Sequence, residues 1–155
     1  MKRLDREDVK ILEKLQSDGR ITNSALADAV SMSASPCWRR VRQLEEEGVI
    51  QGYSANLDRR QIGLGVLVYV TIQIDNHSEE DATRFERQVQ ELPEVISCHS
   101  VSGGADFMLM VVSRDLDSYA EFSMNTLRRL PGIKTMTTNF ALKEIKPFKG
   151  LPLGL

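Results

Sequence analysis

The sequence predicts an α+β protein of two modules, an N-terminal helix-turn-helix and a C-terminal ferredoxin-like βαββαβ unit. Three observations carry that reading. Residues 33–48 spell a capped helix bearing three arginines, preceded by a short helix and a three-residue turn. After residue 63 the pattern runs strand, helix, strand, strand, helix, strand. Between the two, residues 53–63 read as a connection, which places the domains at 1–52 and 64–155.

Each N-terminal element has its own signals. Asp5 can cap the first helix, Asp8 closes a capping box, and Leu4 is placed to staple Val9. Val9, Leu12 and Leu15 form the apolar stripe, and Gly19 ends the helix. Thr22 caps the second helix, with Ile21 and Leu26 at the staple positions. Ala25, Leu26 and Ala29 suit close helix contact. Ser31 stands in the turn where a left-handed residue is expected, at a cost on the order of 1 kcal/mol. The third helix starts at Ser33. Pro36 lies in its first turn, where no backbone N–H is lost. Cys37, Val41 and Leu44 should face the core, leaving Arg39, Arg40, Arg42 and Gln43 outside. Gly48 stops the helix, and residues 49–57 read as extended.

In the second module, 64–74 is the first strand. Ser78 with Asp81 marks a helix start, and Phe85, Val89 and Leu92 share one face before Pro93. Strands at 95–101 and 107–112 flank the turn Ser102-Gly103-Gly104-Ala105-Asp106. Asp117 is placed as the cap of a helix carrying Tyr119, Phe122, Leu127 and Leu130, closed by Pro131-Gly132. The last strand is 133–142. Strand 107–112 is apolar on both faces, with Phe107, Leu109 and Val111 against Met108, Met110 and Val112. A sheet with one wet face would alternate more cleanly. The face without helices is therefore expected to be buried against a second subunit, in an obligate dimer or larger.

Composition narrows the function. The chain has 155 residues, 41% of them hydrophobic and 27% charged, and a net charge of −2. No apolar run nears the roughly 20 residues of a membrane span. The first residues lack an apolar signal region, so a cytoplasmic location is expected. Two cysteines, Cys37 and Cys98, make neither a disulfide framework nor a zinc pattern. Cys98 and the neighbouring His99 point to opposite faces of a strand, and His77 lies in a turn. No metal, cofactor or catalytic constellation is expected. The mild acidity hides a local contrast, because residues 31–44 hold three arginines and no acid.

The third helix is the candidate nucleic-acid reader. Ser33 and Ser35 can donate to phosphates or bases, and the first-turn N–H groups suit a phosphate. Arg39, Arg40 and Arg42 can pair with phosphate or guanine. Trp38 can pack on the sugar-phosphate surface or under the following segment. An ordinary surface helix, paired by Glu45 to Glu47, is the plain alternative. The capped helix and turn before it weigh against that. The glycine turn is the second candidate. Gly103 and Gly104 let a ligand approach the backbone, and Asp106 could accept from an α-ammonium. A simple hairpin turn also favours Gly and Asp.

Taken together, certain pieces in this order resemble the Lrp/AsnC (feast/famine) family of transcriptional regulators, end to end. They are Leu4-Asp5 with Ile11-Leu12; Asp18-Gly19-Arg20-Ile21; Ser35-Pro36-Cys37 through Arg39, Val41, Leu44 and Glu45; Gly48-Val49-Ile50; Val101-Ser102-Gly103 with Asp106; Leu130-Pro131-Gly132; and Lys143-Glu144-Ile145-Lys146. The resemblance implies a winged helix-turn-helix that binds double-stranded DNA and a ligand-binding, oligomerising domain. It implies homodimers that assemble further, to tetramers or octamers, and a small effector, usually an amino acid. Carried over, the DNA-contacting set is Ser33, Ser35, Pro36, Trp38, Arg39, Arg40 and Arg42. The effector set is Ser102, Gly103, Gly104 and Asp106, with Thr138 and Asn139 on the last strand. Many relatives have an acid in place of Gly104 and an aromatic in place of Ala105, so the pocket here should be roomier and less negative. Two alternatives remain: an architectural DNA binder without effector, and a tetrapyrrole-modifying enzyme resembling the sirohaem decarboxylases.

Overall fold

The structure, a computed structural model, describes residues 4–75 and 79–153. It divides into two compact units. One runs to Asn56 and includes the tail from Ile145 onward; the other is Leu57–Glu144. The tail, placed by sequence with the second domain, thus groups with the first.

The first unit holds α1 (Arg6–Ser17), α2 (Asn23–Ala29) and α3 (Ala34–Glu46). The expected capping box forms: Asp5 Oδ1 accepts from the Asp8 N–H at 2.8 Å, and Asp8 Oδ2 accepts from the Asp5 N–H at 3.4 Å. Thr22 Oγ1 accepts from the Ala25 N–H at 3.2 Å. Both α2 and α3 end in the same motif. Met32 N–H donates to Ala27 O around Ser31 at φ 57°, and Val49 N–H donates to Leu44 O around Gly48 at φ 72°. Ser31 therefore adopts the left-handed conformation that its place in the turn requires. The core is Ile11, Leu12, Leu26, Ala27, Val30, Cys37 and Leu44. Ile11, absent from the expected stripe, is fully buried. Residues 51–57 form no strand.

The tail reaches this core. Gln16 of α1 donates from Nε2 to Leu151 O at 3.0 Å and accepts at Oε1 from the Leu151 N–H, while Leu153 packs on the apolar cluster.

The second unit is a four-stranded antiparallel sheet in the order β2-β3-β1-β4, the ferredoxin-like order. The strands are β1 (Val66–Ile74), β2 (Val95–Ser100), β3 (Phe107–Ser113) and β4 (Ile133–Phe140), with helices α4 (Glu79–Gln90) and α5 (Leu116–Asn125). Phe85, Val89 and Tyr119 from the helices share one buried cluster with Val68, Val70, Ile72, Leu109 and Val111. Two expectations need correction. The α5 cap is Asp115, whose Oδ1 accepts from Ser118 N–H at 2.7 Å, and Asp117 sits in the first turn. Leu127 lies in a separate 3-10 turn, Leu127–Arg129. The Ser78 cap and His77 lie outside the described residues.

The opposite face of the sheet is uncovered by α4 and α5 and carries an apolar patch beside the polar residues of β4. Tyr69, Met108 and Ile96 are exposed there, beside half-buried Leu67 and Met110. Among the described residues no helix is long and apolar enough to cross a membrane.

Candidate functional site

On α3, Cys37 and Leu44 are buried and fix which side meets the core. The outer stripe follows at helical spacing: Ser35, Trp38, Arg39, Arg42 and Glu46. All five are exposed, and so is Ser33. Ser33 is the N-cap by backbone conformation, yet its side chain makes no capping hydrogen bond, so its hydroxyl is not committed to the helix. Pro36 is half-buried in the first turn. Asn23 of α2 donates to Ala34 O at 3.1 Å and ties the start of α3 to the preceding helix. Sequence reading missed that contact.

The three arginines differ. Arg39 makes no ion pair among the described residues. Arg42 lies with its guanidinium carbon 5.9 Å from the centre of the Trp38 ring and has long, exposed contacts of 3.6 and 3.5 Å to Glu45 and Glu46. Such contacts are worth little in water. Arg40 departs from expectation. Its Nη1 lies 2.7 Å from Asp5 Oδ2 and 2.8 Å from Asp8 Oδ1, both at the start of α1. The reason is spacing: position 40 is three residues past Cys37 and four before Leu44, on the edge of the core stripe. The Asp8 backbone N–H, and next the Arg40 guanidinium, hold the Asp5 carboxyl below its ordinary value. Trp38 and Arg42 also help line a groove of about 250 Å³ with Leu15, Ile21, Glu45 and Tyr53. The Tyr53 hydroxyl closes one side by donating to Glu45 at 3.1 Å.

The glycine turn is strung on the end of β1. Val101 N–H donates to Asp106 O at 3.0 Å and Asp106 N–H to Ile72 O at 2.9 Å. Asp106 Oδ2 accepts from Ile74 N–H at 2.8 Å. One carboxylate oxygen of the expected ammonium acceptor is thus already engaged by backbone. Ser102, Gly103 and Gly104 are exposed, and nothing stands within 4 Å of where a Cβ would project from either glycine. A ligand can come down onto this backbone without displacing a side chain.

Thr138 and Asn139 lie on opposite faces of the sheet. Successive strand residues point to opposite faces. Thr138 faces α5, with its Oγ1 3.0 Å from the Tyr119 hydroxyl. Asn139 pairs with Tyr69 in register and lies on the uncovered face. Gln73 and Thr135, which sequence reading did not single out, share that face. They hydrogen-bond to each other and, through Gln73, to Gly104 O. Their partners are 62 and 31 residues distant in sequence, beyond the reach of any local pattern.

Relatives agree with this architecture. Residues 67–151 match the Lrp/AsnC ligand binding domain, and residues 4–51 match a winged helix-turn-helix DNA-binding domain. The chain is 41% identical over 153 residues to the Bkd operon transcriptional regulator of Pseudomonas aeruginosa, covering 99% of this chain and 100% of that one. It is 40% identical over 145 residues to the leucine-responsive regulatory protein of Escherichia coli, covering 94% and 88%. Its fold superposes with a TM-score of 0.94 on the L-Met complex of a transcriptional regulator from Neisseria meningitidis, at 36% identity and 98% coverage of both chains. With a helix-turn-helix whose third helix turns a polar face outward and a ferredoxin-like domain whose β2–β3 connection is an open glycine turn, the chain belongs to the Lrp/AsnC family of transcriptional regulators.

Proposed function

We propose that this regulator reads DNA with the outer stripe of α3 and changes its DNA affinity when an amino acid binds at the Ser102–Asp106 turn. Ser33, Ser35 and Arg39 are the contact residues, with Trp38 and Arg42 as a stacked pair beside them. The observation that carries the reading is the division of labour among the arginines. Arg39 is exposed and unpaired among the described residues, whereas Arg40 is held by two carboxylates of α1. Arg40 then sets the angle of the helix rather than touching DNA.

The effector assignment is supported by the open backbone of the turn and by the Neisseria meningitidis relative, whose structure is an L-Met complex. The uncovered sheet face is the dimer surface in this reading, with higher assembly to tetramer or octamer, in the cytoplasm. Tyr69, Met108 and Ile96 would be its anchors.

Fluorescence anisotropy on the DNA upstream of the protein's own gene, with random DNA as competitor, tests the reading. Binding should survive the competitor and shift on adding L-methionine or another amino acid. Equal loss to random DNA would leave only the sequence-independent electrostatic term and refute specific reading. Sedimentation at micromolar concentration tests the assembly, and a monomer there would refute it.

A further inference from the structure

Gln73 is the penultimate residue of β1 and stands just past the β1–β3 ladder, whose last pair is Ile72–Phe107. On the other side it is still paired, opposite Thr135 of β4. Its side chain bridges the two sides. Nε2 donates to Gly104 O, and Oε1 accepts from Thr135 Oγ1 at 2.7 Å. A carbonyl oxygen only accepts, so the amide nitrogen must face Gly104, and the orientation is fixed by chemistry.

The turn has little else to hold its tip. Gly103 and Gly104 carry no side chains, and Gly103 sits at φ 119°, open to few other residues. Asp106 anchors the C-terminal end of the turn through Ile72 and Ile74. Gln73 alone ties the tip, at Gly104, to a neighbouring strand among the described residues.

We propose that Gln73 is the positioning residue of the effector site. It sets the Gly104 peptide for an α-amino acid and links the turn to β4 through Thr135. This rests on the amino-acid reading above. A ligand carboxylate that draws the turn's N–H groups toward itself must keep or break the Gln73–Gly104 bond. Either way the change reaches Thr135, on the strand face that also carries Asn139. The coupling is thus a relay of two hydrogen bonds through one amide, from the turn to β4.

The test uses full-length wild-type protein, Gln73→Ala and Gln73→Glu, with L-methionine and then the other standard amino acids as probes. Glu keeps the shape of Gln and the acceptor for Thr135, but turns an oxygen toward Gly104 O. A role in filling space would survive Gln73→Glu; a donor role would not. Two readouts are taken. The first is hydrogen exchange of the 101–107 segment without ligand, which should quicken by about tenfold in both variants as the turn opens locally. The second is the amino-acid-dependent shift in DNA-binding midpoint. In wild type it should be roughly fivefold or more, the usual range of such couplings, and it should fall below about twofold in both variants.

Unchanged exchange would overturn the positioning role whatever the ligand. A wild-type response retained in both variants would overturn the coupling. If exchange quickens but wild type answers to no amino acid, the amino-acid reading fails while Gln73's hold on the turn stands.

Discussion

Arg40 of α3 and Asp8 of α1 form an ion pair at 2.8 Å in which the aspartate side chain is 5% exposed. A carboxylate so far from water needs a partner, and Asp8 also spends an oxygen on its own helix cap. The pair therefore fixes the middle of α3 against the start of α1. Arg39, one residue earlier, has no such duty.

Adjacent arginines should accordingly fail in different assays. Arg40→Ala leaves Asp8 buried without its cation and should lower stability by about 1–3 kcal/mol, at the lower end because Arg40 is itself part-exposed. Arg39→Ala should move stability by less than about 0.5 kcal/mol. It should weaken specific DNA binding by about 1–3 kcal/mol if it reads a guanine. Urea melts and anisotropy titrations on both variants separate the two effects. Equal stability loss in both, or undiminished DNA binding by Arg39→Ala, would contradict the assignment.

The same contacts give a pH dependence. Asp5 titrates below its ordinary 3.8, first because the Asp8 N–H donates to it and next because Arg40 does. A depressed carboxyl contributes stability above its unfolded value, and that contribution is lost as pH falls through the lower folded value. Melting temperature should thus change little on account of this group while pH stays above its ordinary 3.8, then decline as pH falls below that value. Asp5→Asn keeps a capping oxygen and removes the charge. Its melting curve should lie below wild type at neutral pH and converge with it in acid. Parallel curves across the whole range would show that the charge contributes nothing.

These residues also mark how far the sequence could be read. The caps and stops of α1 and α2 and the stop of α3 were legible because they are local, with Asp5 and Asp8, Thr22 and Ala25, and Gly48 and Leu44 within five residues of each other, whereas the α5 cap lay two residues before the expected Asp117. The sheet order followed from the sequence of elements. The inward turn of Arg40 was legible in principle, since it sits between Cys37 and Leu44 at core spacing, but charge outweighed position in the reading. The strand period of two sets Thr138 and Asn139, neighbours in sequence, on opposite faces. Gln73, Thr135 and the docking of the tail on α1 were beyond reach, because their partners are distant in sequence and no short pattern announces them.

Ser31 offers a gain. It is the one non-glycine residue at positive φ among the described residues, at 57°. The matching turn after α3 has glycine. Ser31→Gly should raise stability by up to about 1 kcal/mol, the left-handed penalty less the added freedom of glycine in the unfolded chain. The Met32–Ala27 and Ser31–Asp28 backbone bonds do not involve the side chain, so DNA binding should hold. A fall in melting temperature would mean that the serine hydroxyl compensates its own strain.

The tail makes the strongest claim about stability. After β4 the chain returns to the first unit, where Gln16 takes both backbone groups of Leu151 as a neighbouring strand would. Gly150 makes the approach feasible. It sits at φ 112°, and a Cβ there would come 2.7 Å from Gln16 Oε1, the atom that accepts from Leu151. Gly150→Ala should therefore undock the tail twice over, by backbone strain and by pushing Gln16 aside. Ending the chain at Glu144 should remove the two hydrogen bonds and the Leu153 contact together, at a cost of about 1–2 kcal/mol to the first unit. The sole tryptophan, Trp38, lies in that unit, so its fluorescence in urea reports this unfolding directly. Both variants should shift the Trp38 midpoint down with little change in slope. Limited proteolysis should cut Gly150→Ala within the tail faster than wild type, because an undocked tail with exposed Ile145, Phe148 and Leu151 is an open substrate. An unmoved Trp38 midpoint in the truncated chain would mean that the tail rests on α1 without holding it.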